Sequence, residues 1–131
     1  MENFLEKKEI LLAKNETPGS FNSKDGLCLS FSWITNCRAS DVLDIRNAKH
    51  VLSNLGNQKA ITLEDHLKFI LKYHKENRLD FIIKENLENH YIGGVSLVKT
   101  NYGWEIGKYI GNKSYEKRGI AKRATVSFIM F

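Results

Sequence analysis

Apolar and small or polar side chains alternate most clearly in LCLSFSWI, Leu27 to Ile34, and this aromatic and β-branched run predicts a strand. From Ala39 the period changes. Val42, Ile45 and Ala48 recur at helical spacing, with Ser40 or Asp41 placed to cap a short helix that ends near Arg46 and Asn47. No period continues through HVLSNLGNQKAI, which reads as irregular chain. Thr62 followed three residues later by Asp65 resembles a capping box, and Leu63, Leu67, Ile70, Leu71 and His74 fall on the side of the next helix expected to face the core. Its other side, Glu64, Lys68, Lys72 and Lys75, is a solvated face.

Three further strands are predicted, LDFIIKE, YIGGVSLVKT and WEIGKYI, ending at Ile110. Their connections, NLENH and NYG, are short enough for antiparallel hairpins. From Ile120 the pattern is helical again, with Ile120, Ala124, Phe128 and Phe131 on one side and Val126, Ile129 and Met130 widening it. The order from Leu27 is β-α-α-β-β-β-α, an α/β arrangement with a mixed, mainly antiparallel sheet flanked by helices. Residues 2 to 13 suit a short amphipathic helix, and NETPGSFNSKDG after it is rich in turn residues. Residues 1–26 are therefore expected to be peripheral and residues 27–131 to form the domain.

At 131 residues there is room for one core. No stretch approaches the ~20 apolar residues of a membrane span, and MENFLEKKEI does not lead into an apolar run. Cys28 and Cys37 form neither a disulfide framework nor a zinc pattern, and His50 and His74 lack partners at metal-ligand spacing. The expectation is a cytoplasmic protein without membrane, nucleic-acid or metal partners. Charge alters this picture in one place. The formal net charge is +5, yet residues 1–106 carry fourteen basic and fourteen acidic side chains, and residues 107–131 carry six and one. The excess sits where a local anion would be bound.

That place is GNKSYEKRGIAKRA, between the last strand and the last helix. The first amides of a helix lack internal acceptors, and a glycine lets phosphate oxygens approach the backbone. Gly119 and Ala121 meet the steric demand, and Lys117, Arg118, Lys122 and Arg123 supply charge. A phosphate cradle, an ordinary helix N-cap and a nucleic-acid contact all fit these residues. The turn lacks the spacing of a Walker site and of a dinucleotide fingerprint.

EKRGIA, Glu116 to Ala121, resembles the coenzyme-A-binding stretch Q/R-x-x-G-x-G/A of the GCN5-related N-acetyltransferase superfamily, with Glu116 departing from the expected Gln or Arg. A narrower likeness, across residues 43–121, is to the pseudaminic acid biosynthesis N-acetyltransferase group, which acts in flagellin glycosylation. It rests on Arg46-Asn47, on His66 to Ile70, and on Gly93 to Ser96. The resemblance implies acetyl-CoA as cosubstrate. Its pyrophosphate would lie on Lys117, Arg118, Gly119, Ile120, Ala121 and Lys122, and its pantetheine along Ile106, Gly107, Lys108, Tyr109 and Ile110. It further implies acetyl transfer to the 4-amino group of a nucleotide-linked sugar, UDP-4-amino-4,6-dideoxy-N-acetyl-β-L-altrosamine. The family's fifth strand, fourth helix and last hairpin are not in this sequence, so a C-terminally truncated fold is expected.

Within that reading Glu105 is the candidate base, because it shares a strand face with Gly107; the alternative is a solvated carboxylate paired with Lys108 or Lys99. Arg46 either binds nucleotide phosphate or caps its helix, Asn47 either orients sugar or closes the turn, and His66 either meets substrate or is structural. Other readings are a truncated, non-catalytic CoA-binding remnant, an acetyltransferase for a protein or another small amine, and an RNA-binding module using Trp33, Tyr91, Tyr102, Trp104 and Tyr109. The strand edge and the apolar last helix suggest a homodimer.

Overall fold

The computed structural model describes residues 4–54 and 60–131. Helix α1 spans Phe4–Ala13, strand β1 Phe21–Asn22 and strand β2 Cys28–Trp33; α2 (Ala39–Arg46), α3 (Lys49–Asn54) and α4 (Leu63–Leu71) follow. Strands β3 (Arg78–Glu85), β4 (His90–Thr100) and β5 (Gly103–Ile110) lead to the last helix, α5 (Ile120–Ile129). The five strands form one antiparallel sheet in sequential order, β1-β2-β3-β4-β5. This is the predicted α/β arrangement, with two additions. Residues 49–54 are helical where irregular chain was expected, and β1 adds a two-residue strand from the turn-rich segment. Residues 55–59 of HVLSNLGNQKAI lie outside the described residues.

Alternation along the strands sorts the side chains onto two faces. Leu29, Phe31 and Trp33 of β2 lie with Phe81 and Ile83 of β3 on one face, all 5% exposed or less. Phe81 makes edge contacts with Phe31 at 6.2 Å and with Phe128 of α5 at 5.8 Å, so α5 covers this face. Buried edge-to-face aromatic pairs of this kind add about 0.5–1.5 kcal/mol each to their area burial. The other face carries Asp80 and Ile82, opposite Ser96 and Gly94, and then Gly107 and Tyr109. Helix α2 lies there with Val42 and Ile45 buried. Opposite Ile83 and Lys84, Ile92 is the extra residue of a bulge that bends β4, and its carbonyl accepts the amide of Gly111 at 2.8 Å.

Residues 4–25 are built into the domain instead of lying beside it. Lys8 is 1% exposed and donates to the carbonyls of Tyr73 (2.7 Å) and Glu76 (2.8 Å). The Trp33 indole N–H donates to the Glu16 carbonyl at 2.8 Å. These long-range bonds have no periodic signature, so the sequence reading of this segment as peripheral missed them. The Thr62 cap is as expected, its hydroxyl accepting the Asp65 amide at 3.0 Å, whereas α2 begins at Ala39 with no side-chain cap. Among the described residues no helix is long and apolar enough to cross a membrane.

Candidate functional site

Strand β5 is a sheet edge, with one side of its backbone on β4 and no further strand beyond it among the described residues. At its C-terminal end the chain turns through a short helical segment, Lys113–Tyr115, and enters α5. Lys117 has φ +63° and Gly119 φ +73°. At Gly119 the positive φ favours glycine, and an added Cβ, 2.8 Å from Lys24 Cγ, would also push the Lys24 side chain aside. No side chain caps α5. The amides of Tyr115 and Glu116 donate to the Asn112 and Lys113 carbonyls, Glu116 and Lys117 form the turn that follows, and among the described residues the four amides from Gly119 to Lys122 have no acceptor. Unsatisfied amides at a helix start, with the positive end of the helix dipole behind them, attract anions.

A cavity of about 380 Å³ opens here, lined by Lys108, Tyr109, Ile110, Lys117, Gly119, Ile120, Ala121 and Lys122, together with His50, Val51, Tyr115 and Glu116. Eight of the eleven residues predicted for the cofactor are therefore brought together. The other three are not. Ile106 points to the opposite face, into an apolar groove with Leu97 and Phe128, and Gly107 lines a different cavity. The Arg118 guanidinium turns away to pair with Asp25, with Nε 2.9 Å from a carboxylate oxygen. That partner holds the Asp25 carboxyl down at about 2, with the Ser23 hydroxyl assisting. Arg123 likewise donates to the Asn22 and Ser23 carbonyls at 3.1 Å.

A second cavity of about 200 Å³ lies between β3, β4, β5 and the end of α2, lined among others by Arg46, Arg78, Asp80, Ser96, Gly107 and Tyr109. Tyr109 belongs to both cavities. Its ring packs on Gly94, where a Cβ would come within 2.8 Å, and burial pushes its phenol well above the ordinary tyrosine range, so it remains a neutral hydroxyl. Arg78 grips Asp80 with two bonds of 2.7 Å, and the Asp80 amide donates to the Tyr73 hydroxyl at 2.6 Å.

Of the acceptor-side predictions, Arg46 lines this cavity. Asn47 has the turn-closing arrangement of its two expected alternatives, with both ends of its side-chain amide bonded to the backbone of Ile61 at 2.8 Å. His66 is 2% exposed and points inward; burial lowers its pKa and nearby Arg46 lowers it further. Glu105 shares a strand face with Gly107 and Tyr109, at the outer end of β5, and is exposed. His50, Val51, Tyr115 and Asp80 were not foreseen as site residues. Glu116 was visible in the turn motif, whereas His50 carried no signal because its partner is sixty residues away.

The aromatic residues do not form an open stacking platform. Trp33 is fully buried, Trp104 packs at a tilt on Phe4 with ring centroids 4.7 Å apart, and Tyr102 at 98% exposure stands at a hairpin tip.

No protein-family model matches the chain, and no curated protein matches it. Solved structures do. The chain is similar to the GNAT domain of S. lividans PAT (TM-score 0.68, 12% identity, 86% of this chain and 70% of that one). It is similar to a domain from Methanocaldococcus jannaschii DSM 2661 (TM-score 0.62, 22% identity, 86% and 69%). A third structure is spermidine N-acetyltransferase from Vibrio cholerae, solved in complex with CoA and spermine (TM-score 0.61, 16% identity, 78% and 64%). The sheet and its helices thus have a fold like that of the GCN5-related N-acetyltransferases, over a chain that spans between 64% and 70% of these three structures.

Proposed function

We propose that this chain binds acetyl-CoA at the end of β5 and transfers the acetyl group to a primary amine. One observation carries the reading: among the described residues the four amides from Gly119 to Lys122 have no acceptor, and these residues line a cavity whose wall also presents Lys108, Lys117 and Lys122. A diphosphate fits that chemistry through backbone donors and three ammonium groups. The thioester supplies an activated acetyl group when bound. The unpaired side of β5 offers main-chain donors and acceptors to an amide-bearing arm, and the cavity beside Gly107 leaves room for the acceptor amine. Glu105, on the same strand face, is the proposed base, acting through water from the outer end of the strand. Tyr109, held neutral, has a hydroxyl to donate.

The acceptor we favour is the UDP-linked 4-amino sugar of the pseudaminic acid pathway, on the strength of the sequence likeness over residues 43–121 and of Arg46 in the second cavity. In this proposal Arg46 meets the nucleotide phosphate, and Asn47 and His66 support it by fixing the ends of α2 and α4. Calorimetric titration of acetyl-CoA, followed in the same cell by the amino-sugar nucleotide, tests both parts. Saturable binding and acetyl transfer are expected. Binding without transfer to this sugar, a spermidine-like polyamine or a peptide amine would identify a non-catalytic CoA-binding domain, and salt-sensitive RNA binding without CoA binding would replace the reading altogether. The proposal includes a homodimer through the exposed apolar residues of α5, Val126, Ile129 and Met130, which sedimentation of the free chain would detect.

A further inference from the structure

The proposed diphosphate cavity contains one carboxylate, that of Glu116, with the side chain 38% exposed. A fixed negative charge in an anion site opposes the ligand. Across from it stands His50 of α3, whose Nε2 is 2.8 Å from the Ile110 carbonyl oxygen and 3.4 Å from the Glu116 carboxylate. Both partners only accept hydrogen bonds, so Nε2 carries a proton and Nδ1 is the atom that gains a second.

We propose that His50 is the counter-charge that allows a cavity containing Glu116 to bind a diphosphate. Protonated, the imidazolium offsets the carboxylate and leaves Lys108, Lys117 and Lys122 to act on the ligand. Neutral, it leaves Glu116 to repel the ligand. The remaining groups that face the pair bring no charge of their own: Val51 is apolar, and burial pushes the Tyr115 phenol up. The same hydrogen bond occupies one of the two acceptor positions of the Ile110 carbonyl at the end of β5. The inference rests on the cofactor reading above.

The experiment is a double-mutant cycle on His50→Gln and Glu116→Gln, read as the Kd for dephospho-CoA, which keeps the diphosphate but has no 3′-phosphate to titrate. A glutamine side chain in place of His50 retains an N–H donor for Ile110 without the charge. At about pH 5.5 H50Q should weaken binding about tenfold with Glu116 present and about twofold or less in the E116Q background. At about pH 8.5 H50Q should match the wild type, and E116Q should bind more tightly than either. An equal H50Q effect in both backgrounds, or at both pH values, overturns the inference while leaving the cofactor reading intact. Failure of every variant, E116Q included, to bind overturns both. In the ligand-free protein at about pH 8.5, nitrogen-15 spectra should show His50 as the Nε2–H tautomer, and the Nδ1–H tautomer would refute the contact independently of any ligand.

Discussion

Tyr109 can stand between the two cavities because β4 offers it two glycines in place of side chains. A Cβ on Gly94 would lie 2.8 Å from the Tyr109 ring, and one on Gly93 would lie 2.1 Å from the Tyr109 carbonyl oxygen. The ring has some room to tilt, but the carbonyl does not. Gly94→Ala should therefore cost about 1–3 kcal/mol by overpacking, seen as a lower denaturation midpoint, and Gly93→Ala should cost more. Lys8 gives a prediction with a sign in pH. Burial lowers its ammonium to about 8 from an ordinary 10.5, with Asp80 opposing. Between those two values the unfolded chain binds more protons than the folded one, so this group makes stability rise with pH across the window. The rise in unfolding free energy from about pH 8 to pH 10 should be smaller in Lys8→Met, and an identical rise would remove the assignment. Tyr73 and Tyr109, whose phenols burial pushes up, act in the opposite direction near the top of that window in both proteins.

Helix α4 shows what an element's own sequence decides and what its neighbours decide. Leu63, Leu67 and Leu71 form a regular apolar stripe, yet they are 52%, 50% and 83% exposed, whereas His66 and Tyr73 are 2% and 1% exposed. The helix is rotated from the predicted orientation because its aromatic side has partners. Phe69 packs on Tyr73 at 5.4 Å and under the Arg78 guanidinium at 5.1 Å, and Tyr73 packs on Trp33 at 6.3 Å. Residues 63 to 73 offer more than one apolar stripe, and period alone does not choose between them. Leu67→Glu should then change stability by no more than about 0.5 kcal/mol, and Phe69→Ala should cost about 2–3 kcal/mol, a difference that thermal melting resolves; the reverse order would restore the predicted face. The same contrast explains what was legible elsewhere. Strands β3 to β5, their hairpins and the Thr62 cap are specified by residues close together in sequence, and they were found within a residue or so. So was the glycine turn, because a helix start beside basic residues is local chemistry. Strand β1 pairs with nearby β2 but is two residues long and has no alternating run to announce it, whereas the positions of His50 and Asn47 depend on Ile110 and Ile61 farther along the chain, which no spacing rule reaches.

At the scale of the molecule, the segment read as peripheral holds the candidate site in place. The Lys24 amide donates to the Arg118 carbonyl at 3.1 Å, Asp25 takes the Arg118 guanidinium, Arg123 reaches the Asn22 and Ser23 carbonyls, and Ser127 donates to the Gly19 carbonyl at 2.6 Å. Residues 19–25 thus run as a strap along the base of α5. Two of the six basic side chains in the charged C-terminal fifth are used on this strap, which leaves lysines, not arginines, at the cavity. The strap fixes the turn from behind, and fixed donors bind an anion more tightly than donors that must first be ordered. Asp25→Asn keeps the side chain's shape and removes the charge that holds Arg118, without altering any residue that lines the cavity. It should weaken CoA binding about three- to tenfold, with the helical content unchanged by circular dichroism, and added salt should narrow the gap because the exposed pair is screened. If D25N binds CoA more tightly, the released Arg118 guanidinium is itself a phosphate ligand, as the sequence motif suggested, and the strap competes with the cofactor instead of supporting it.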